Sequence, residues 1–135
     1  MKTKTISTKV IVLFALFFAL ISTLLNGQIS TISINEFEKG ILKNEIQILD
    51  VRTAEEYQTG HLKNALQADW NKKTEFKDRI KSLYKTKPIF IYCLSGSRSN
   101  DAMEWLYKND FKVVYNMKGG INAWAEEVDS SLPLY

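Results

Sequence analysis

The chain has 135 residues, with 18 Lys and Arg against 15 Asp and Glu, 45% apolar positions and 24% charged ones. This is ordinary globular composition and excludes a disordered or collagen-like chain. Lys2, Lys4 and Lys9 are the only charges before Glu36, so the body that follows the first 27 residues carries 15 bases against 15 acids. A neutral body offers no clustered basic surface to phosphates, and no nucleic-acid partner is expected.

Met1 to Lys9 form a basic leader, followed by an apolar run of 16 residues from Val10 to Leu25. A bilayer span needs roughly 20 apolar residues. The run ends at Asn26-Gly27-Gln28, where Gly27 supplies a small residue for cleavage, which is the pattern of a secretory signal peptide. Residues 1–27 are therefore expected to be a signal peptide, and residues 28–135 a single domain exported to the periplasm. An uncleaved membrane anchor formed by residues 10–25 is the alternative, and would be the chain's one contact with a membrane. No cysteine follows the apolar run, which argues against a lipoprotein anchor.

Along the body, Ser33-Ile34-Asn35-Glu36 reads as a capping box opening a short helix to about Leu42. Ile46 to Asp50 is a buried strand, and Thr53-Ala54-Glu55-Glu56 repeats the capping box before a helix of about one turn, through Gln58 and closed by Gly60. Ala65 to Asp69 suggests another strand. A polar helix follows over Thr74 to Tyr84, with Phe76, Ile80 and Leu83 at helical spacing. Ile89-Phe90-Ile91-Tyr92 has no polar alternation, as expected of a central parallel strand covered on both faces. A loop of small residues leads into a helix over Arg98 to Asn109, then come a strand over Val113 to Tyr115, a turn at Gly119-Gly120 and a last helix over Ile121 to Val128. Strands alternating with helices define an α/β fold, with a mostly parallel sheet of about five strands and helices on both faces.

In such folds ligands bind beyond the carboxyl ends of the strands, and Cys93 is the first residue past the central one. It is the only cysteine, so it forms no intramolecular disulfide. Leu94-Ser95-Gly96-Ser97 then wraps toward a helix N-terminus, so backbone amides and the positive end of the helix dipole converge on the sulfur. That environment favours the thiolate, which is the nucleophile. Arg98 adds a positive charge, and Gly96 permits backbone angles that other residues resist.

The segments Leu49-Asp50-Val51-Arg52, Glu56-Tyr57, Gly60-His61-Leu62, Ala65, Cys93-Leu94-Ser95-Gly96-Ser97-Arg98-Ser99, and Gly119-Gly120 with Trp124 together resemble a single rhodanese domain over residues 29 to 130. The resemblance implies a sulfurtransferase in which Cys93 takes the outer sulfur of a sulfane donor as a persulfide and passes it to a thiol or cyanide acceptor. It implies catalytic roles for Cys93 and Arg98, and a substrate-binding loop of Leu94, Ser95, Gly96, Ser97 and Ser99. One residue departs from the family: Leu94 stands where active thiosulfate-using members commonly carry Arg.

Asp50 and Arg52 follow a strand end and are expected to support the loop through hydrogen bonds. His61, the single histidine, is expected to pack in a loop rather than act as a base. Phe90, Tyr92, Trp105 and Trp124 read as core, and Lys72-Lys73 and the Lys85 to Lys87 cluster as solvated faces. One Cys and one His do not make a zinc site, and neither metal nor cofactor is expected. The partners expected are therefore a small sulfane-sulfur donor, either thiosulfate or a persulfide or polysulfide, and a thiol or cyanide acceptor, acting on a monomer. Phosphatase-type loops place five residues between Cys and Arg; four separate Cys93 from Arg98, a narrower interval suited to one sulfur atom. A rhodanese-fold binding or regulatory module without turnover is the alternative from another functional class.

Overall fold

The computed structural model describes residues 6–25 and 27–128. The basic residues Lys2 and Lys4 of the leader and Asn26 of the expected cleavage region lie outside these. Helix α1 (Thr8–Leu25) takes in the apolar run. Among the described residues no helix is long and apolar enough to cross a membrane.

The body is a five-stranded sheet in the order β1 (Gln28–Ile32), β5 (Val113–Met117), β4 (Ile89–Tyr92), β2 (Gln47–Asp50), β3 (Ala65–Gln67). Every pairing is parallel. Parallel strands require crossovers, and these carry α2 (Ile34–Ile41), α3 (Ala54–Gln58), α4 (Lys73–Arg79) and α5 (Ser97–Lys108), while α6 (Gly120–Glu127) follows the last strand.

The central strand shows how one run of apolar residues serves two cores. Side chains alternate along a strand, so Ile89, Ile91 and Cys93 enter one cluster with Leu49, Val51, Phe76, Ala102 and Leu106, beneath α4 and α5. Phe90 and Tyr92 enter the opposite cluster with Phe37, Ile121 and Trp124, beneath α2 and α6. Cys93 thus continues the alternation of β4 and is held beneath α5.

Both capping boxes form: Ser33 and Glu36 satisfy each other's amides at α2, and Thr53 and Glu56 do so at α3. Sequence reading missed β1. Its QISTI run has no continuous apolar stretch, and it occupies the sheet edge, paired only with β5 from Gln28↔Val113 to Ile32↔Met117. The expected helix over 74–84 is shorter, ending at Arg79 with one 3₁₀ turn over Ile80–Ser82, so Leu83 packs from an extended segment. Strands expected over 46–50 and 65–69 are trimmed to Gln47–Asp50 and Ala65–Gln67, while β5 runs two residues further than expected, to Met117. Trp105 is only partly buried, edge-on to Phe76 at 5.7 Å. The lysine clusters are not simply solvated, since Lys73 Nζ lies 3.0 Å from the Trp70 ring centroid and Lys87 Nζ 2.6 Å from Glu45.

Candidate active site

Cys93 leaves the carboxyl end of β4, and the chain turns at once through Leu94, Ser95 and Gly96 into α5. Gly96 has φ +104°, in the left-handed region that favours glycine, where the chain turns from the loop into α5. The Gly96 N–H donates to Cys93 Sγ at 3.1 Å, and the Ser99 hydroxyl approaches it at 3.2 Å. Both Cys93 and Ser99 are buried. No side chain caps α5, unlike α2 and α3, so its first-turn amides are left to face an anion carried on the loop.

The loop is braced from behind by α6. Ile121 and Asn122 donate their amides to the carbonyls of Cys93 and Leu94, at 2.9 and 3.1 Å. Such close approach requires Gly120, where a Cβ would fall 2.5 Å from the Leu94 carbonyl oxygen and 2.6 Å from that of Cys93. The Gly119-Gly120 pair thus shapes the site as well as the turn. Asn116, buried in β5, reaches the Gly96 carbonyl at 3.4 Å and Thr31 Oγ1 at 3.2 Å. Leu94 is 39% exposed at the rim, and Ser95 and Ser97 are exposed beside it.

Arg98 points to a carboxylate. Its Nη1 and Nη2 donate to Glu56 Oε2 and Oε1, each at 2.8 Å. Glu56 Oε2 also accepts the Thr53 amide at 2.9 Å, so one carboxylate caps α3 and clamps α5 to it. The Arg98 hydrogen bonds hold the Glu56 carboxyl down at about 2. The same pairing raises the Arg98 pKa, with smaller contributions from Cys93 and Asp69.

Asp50 and Arg52 form a separate buried pair. Arg52 Nη2 lies 2.6 Å from Asp50 Oδ2 and also donates to the Gly60 carbonyl at 2.6 Å. The Arg52 carbonyl accepts from Gln67 Nε2 at 2.8 Å, and the Tyr92 hydroxyl accepts the Leu62 amide at 3.0 Å. This network ties the ends of β2, β3 and β4 to the 60–62 segment. His61 stacks on Tyr57 with ring centroids 3.5 Å apart, its Nδ1 2.9 Å from the Tyr57 carbonyl, and so packs within that segment.

The structure therefore gathers Cys93, Gly96 and Ser99 around the sulfur, turns Arg98 onto Glu56, and places Asp50 and Arg52 in the supporting network. Sequence reading gave Glu56 only a capping role; the box already accounts for its carboxylate, and its second partner lies 42 positions away. Gln67, Tyr92 and Asn116 were also missed as supports. An amide inside the apolar Val113–Met117 strand was the available signal for Asn116.

The cysteine stands at a strand end with the Gly96 amide of its own loop on its sulfur, beneath an uncapped helix, and residues 33–127 match the rhodanese-like domain family. The chain belongs to that family. It is similar to the thiosulfate sulfurtransferase GlpE of Coxiella burnetii, 34% identical over 84 residues that make up 62% of this chain and 76% of that protein. It is 38% identical over 93 residues to the tRNA uridine(34) hydroxylase of Wigglesworthia glossinidia brevipalpis, covering 64% of this chain but only 29% of the hydroxylase. Among solved structures, a rhodanese-like domain protein from Staphylococcus aureus superposes with a TM-score of 0.65 at 30% identity, over 78% of this chain and 98% of that one.

Proposed function

We propose that the protein is a sulfurtransferase that carries a sulfane sulfur on Cys93. The Cys93 thiolate attacks the outer sulfur of a donor; the donor's S–S bond breaks and its electron pair leaves with sulfite, or with a thiolate when the donor is a persulfide. The thiol proton goes to solvent and Cys93 becomes a persulfide. A thiol or cyanide then takes the outer sulfur, and the electron pair of the Cys93 S–S bond returns to Sγ. The observation that carries this reading is the Gly96 amide and Ser99 hydroxyl aimed at Sγ, donors of the kind that stabilise charge on a bound sulfur. The four-residue interval to Arg98 fits one sulfur better than a tetrahedral oxyanion.

The mature enzyme acts outside the cytoplasm after removal of residues 1–27. In support, β1 begins at Gln28, whose amide bonds the Lys112 carbonyl at 2.7 Å, so cleavage after Gly27 leaves all five strands whole. Intact mass tests both parts. Protein recovered from outside the cytoplasm should begin at Gln28 and gain the mass of one sulfur atom on exposure to a sulfane donor, and Cys93→Ser should lose that increment and all turnover while keeping its fold. A wild-type protein that takes up no sulfur would instead be a binding module.

A further inference from the structure

Cys93, Leu94, Ser95, Gly96, Ser97, Arg98 and Ser99 contain one charged side chain, and it is spoken for. Arg98 gives two N–H groups to Glu56, and Glu56 is fixed independently by the Thr53 amide. Turning the guanidinium toward a donor would break two charge-assisted hydrogen bonds, which are about twice as strong as neutral ones. Asp69, buried and also felt by Arg98, adds a second carboxylate on that side. On the other flank of the loop a cavity of about 360 Å³ is lined by Asp101 and Lys118, one charge of each sign, with Ser95, Ser97 and Asn116. At the rim, Leu94 contributes an exposed aliphatic side chain and no charge.

We propose that Glu56 is a specificity-determining residue: by pairing with Arg98 it neutralises the one cation of the Cys93-to-Ser99 loop and so selects sulfane donors of single or no charge over dianionic thiosulfate. The inference rests on the sulfurtransferase reading and names the donor class for that site. Glu56 touches no reacting atom and acts through Arg98.

Glu56→Gln isolates this role, because Gln keeps the capping box at N3 while withdrawing the negative charge and one acceptor from Arg98. The probes are thiosulfate and an alkyl thiosulfonate anion, which presents the same sulfonyl-to-sulfane bond with one negative charge fewer. In the full-length protein, E56Q should raise thiosulfate kcat/KM on the order of tenfold, mainly through KM, since a freed cation attracts the dianion more strongly. The thiosulfonate should respond much less. The double variant E56Q/R98Q, again without net charge, should return the ratio of the two kcat/KM values to that of the wild type. Equal changes for both donors in E56Q, or a double variant that keeps the altered ratio, would overturn the proposal. Ionic strength supplies a second measurement: thiosulfate kcat/KM should fall more steeply with salt in E56Q than in the wild type, and equal salt dependence of the two proteins would also overturn it. Absence of sulfur uptake on Cys93 from both donors would instead take down the sulfurtransferase reading on which it rests.

Discussion

Two carboxylate–guanidinium pairs stand beyond the carboxyl ends of the strands, and they do different work. Asp50–Arg52, at 2.6 Å, has side chains only 0% and 3% exposed, and Arg52 also serves the Gly60 carbonyl. Glu56–Arg98, at 2.8 Å, leaves about a quarter of each side chain in water. Burial removes the alternative of hydration, so the inner pair has no way to separate without stranding a charge. The outer pair can be solvated by water if broken, which makes it weak as a fold determinant and adjustable as a determinant of local charge. The inner pair lies where solvent is excluded, and the outer pair lies at the water-exposed end of the Cys93 loop.

The largest effect should come from breaking the inner pair. Arg52→Ala leaves Asp50 buried and unpaired and the Gly60 carbonyl without its donor, and should cost about 3–5 kcal/mol of unfolding free energy. Arg98→Ala should cost less than about 1 kcal/mol, because Glu56 remains hydrated and keeps the Thr53 amide. Urea denaturation of both variants checks the contrast, and equal losses would erase the distinction drawn between the pairs.

Much of this site was legible in the amino-acid order, and what escaped has a common physical cause. Both capping boxes, the central strand and the Cys93-to-Arg98 loop are local, set by residues within a few positions of one another. Edge strand β1 escaped because its identity comes from pairing with β5, on the far side of the chain, rather than from its own apolar content. The second partner of Glu56 escaped for the same reason, since only the packing of α3 beside α5 brings positions 56 and 98 together.

A smaller effect should follow from adding a cation beside the outer pair without breaking it. Leu94→Arg places a guanidinium at the exposed rim, where no carboxylate is bonded to residue 94. If the new contact adds about 1.4 kcal/mol to transition-state binding of the dianion, thiosulfate kcat/KM rises about tenfold. An unchanged or lower value in a folded variant would mean that the side chain at position 94 only packs, and would remove it from the account of donor choice.

The smallest effect is on acid stability, and its sign follows from the outer pair alone. Glu56 titrates at about 2 when folded against an ordinary 4.5, because Arg98 and the Thr53 amide favour its charged form. A carboxyl whose folded pKa is depressed binds protons more readily in the unfolded chain, so its stabilisation is complete above about pH 5 and drains away as the pH falls through 4.5 toward 2. Other lowered carboxyls, at Glu36, Glu45 and Asp78, add to the acid lability of the whole protein. These three are common to wild type and Glu56→Gln, so they cancel in the difference between the two proteins, which reports position 56 together with its neighbour Glu55, a lowered carboxyl that feels the Glu56 charge. That difference should be within about 1 kcal/mol at pH 7, as befits a partly hydrated pair, and should shrink toward zero near pH 2. Melting curves of the two proteins at pH 7, 4 and 2.5 measure it; a gap that keeps its size at the lowest pH would show that Glu56 stabilises the fold by something other than its charge, and that the outer pair is no more electrostatic than a neutral hydrogen bond.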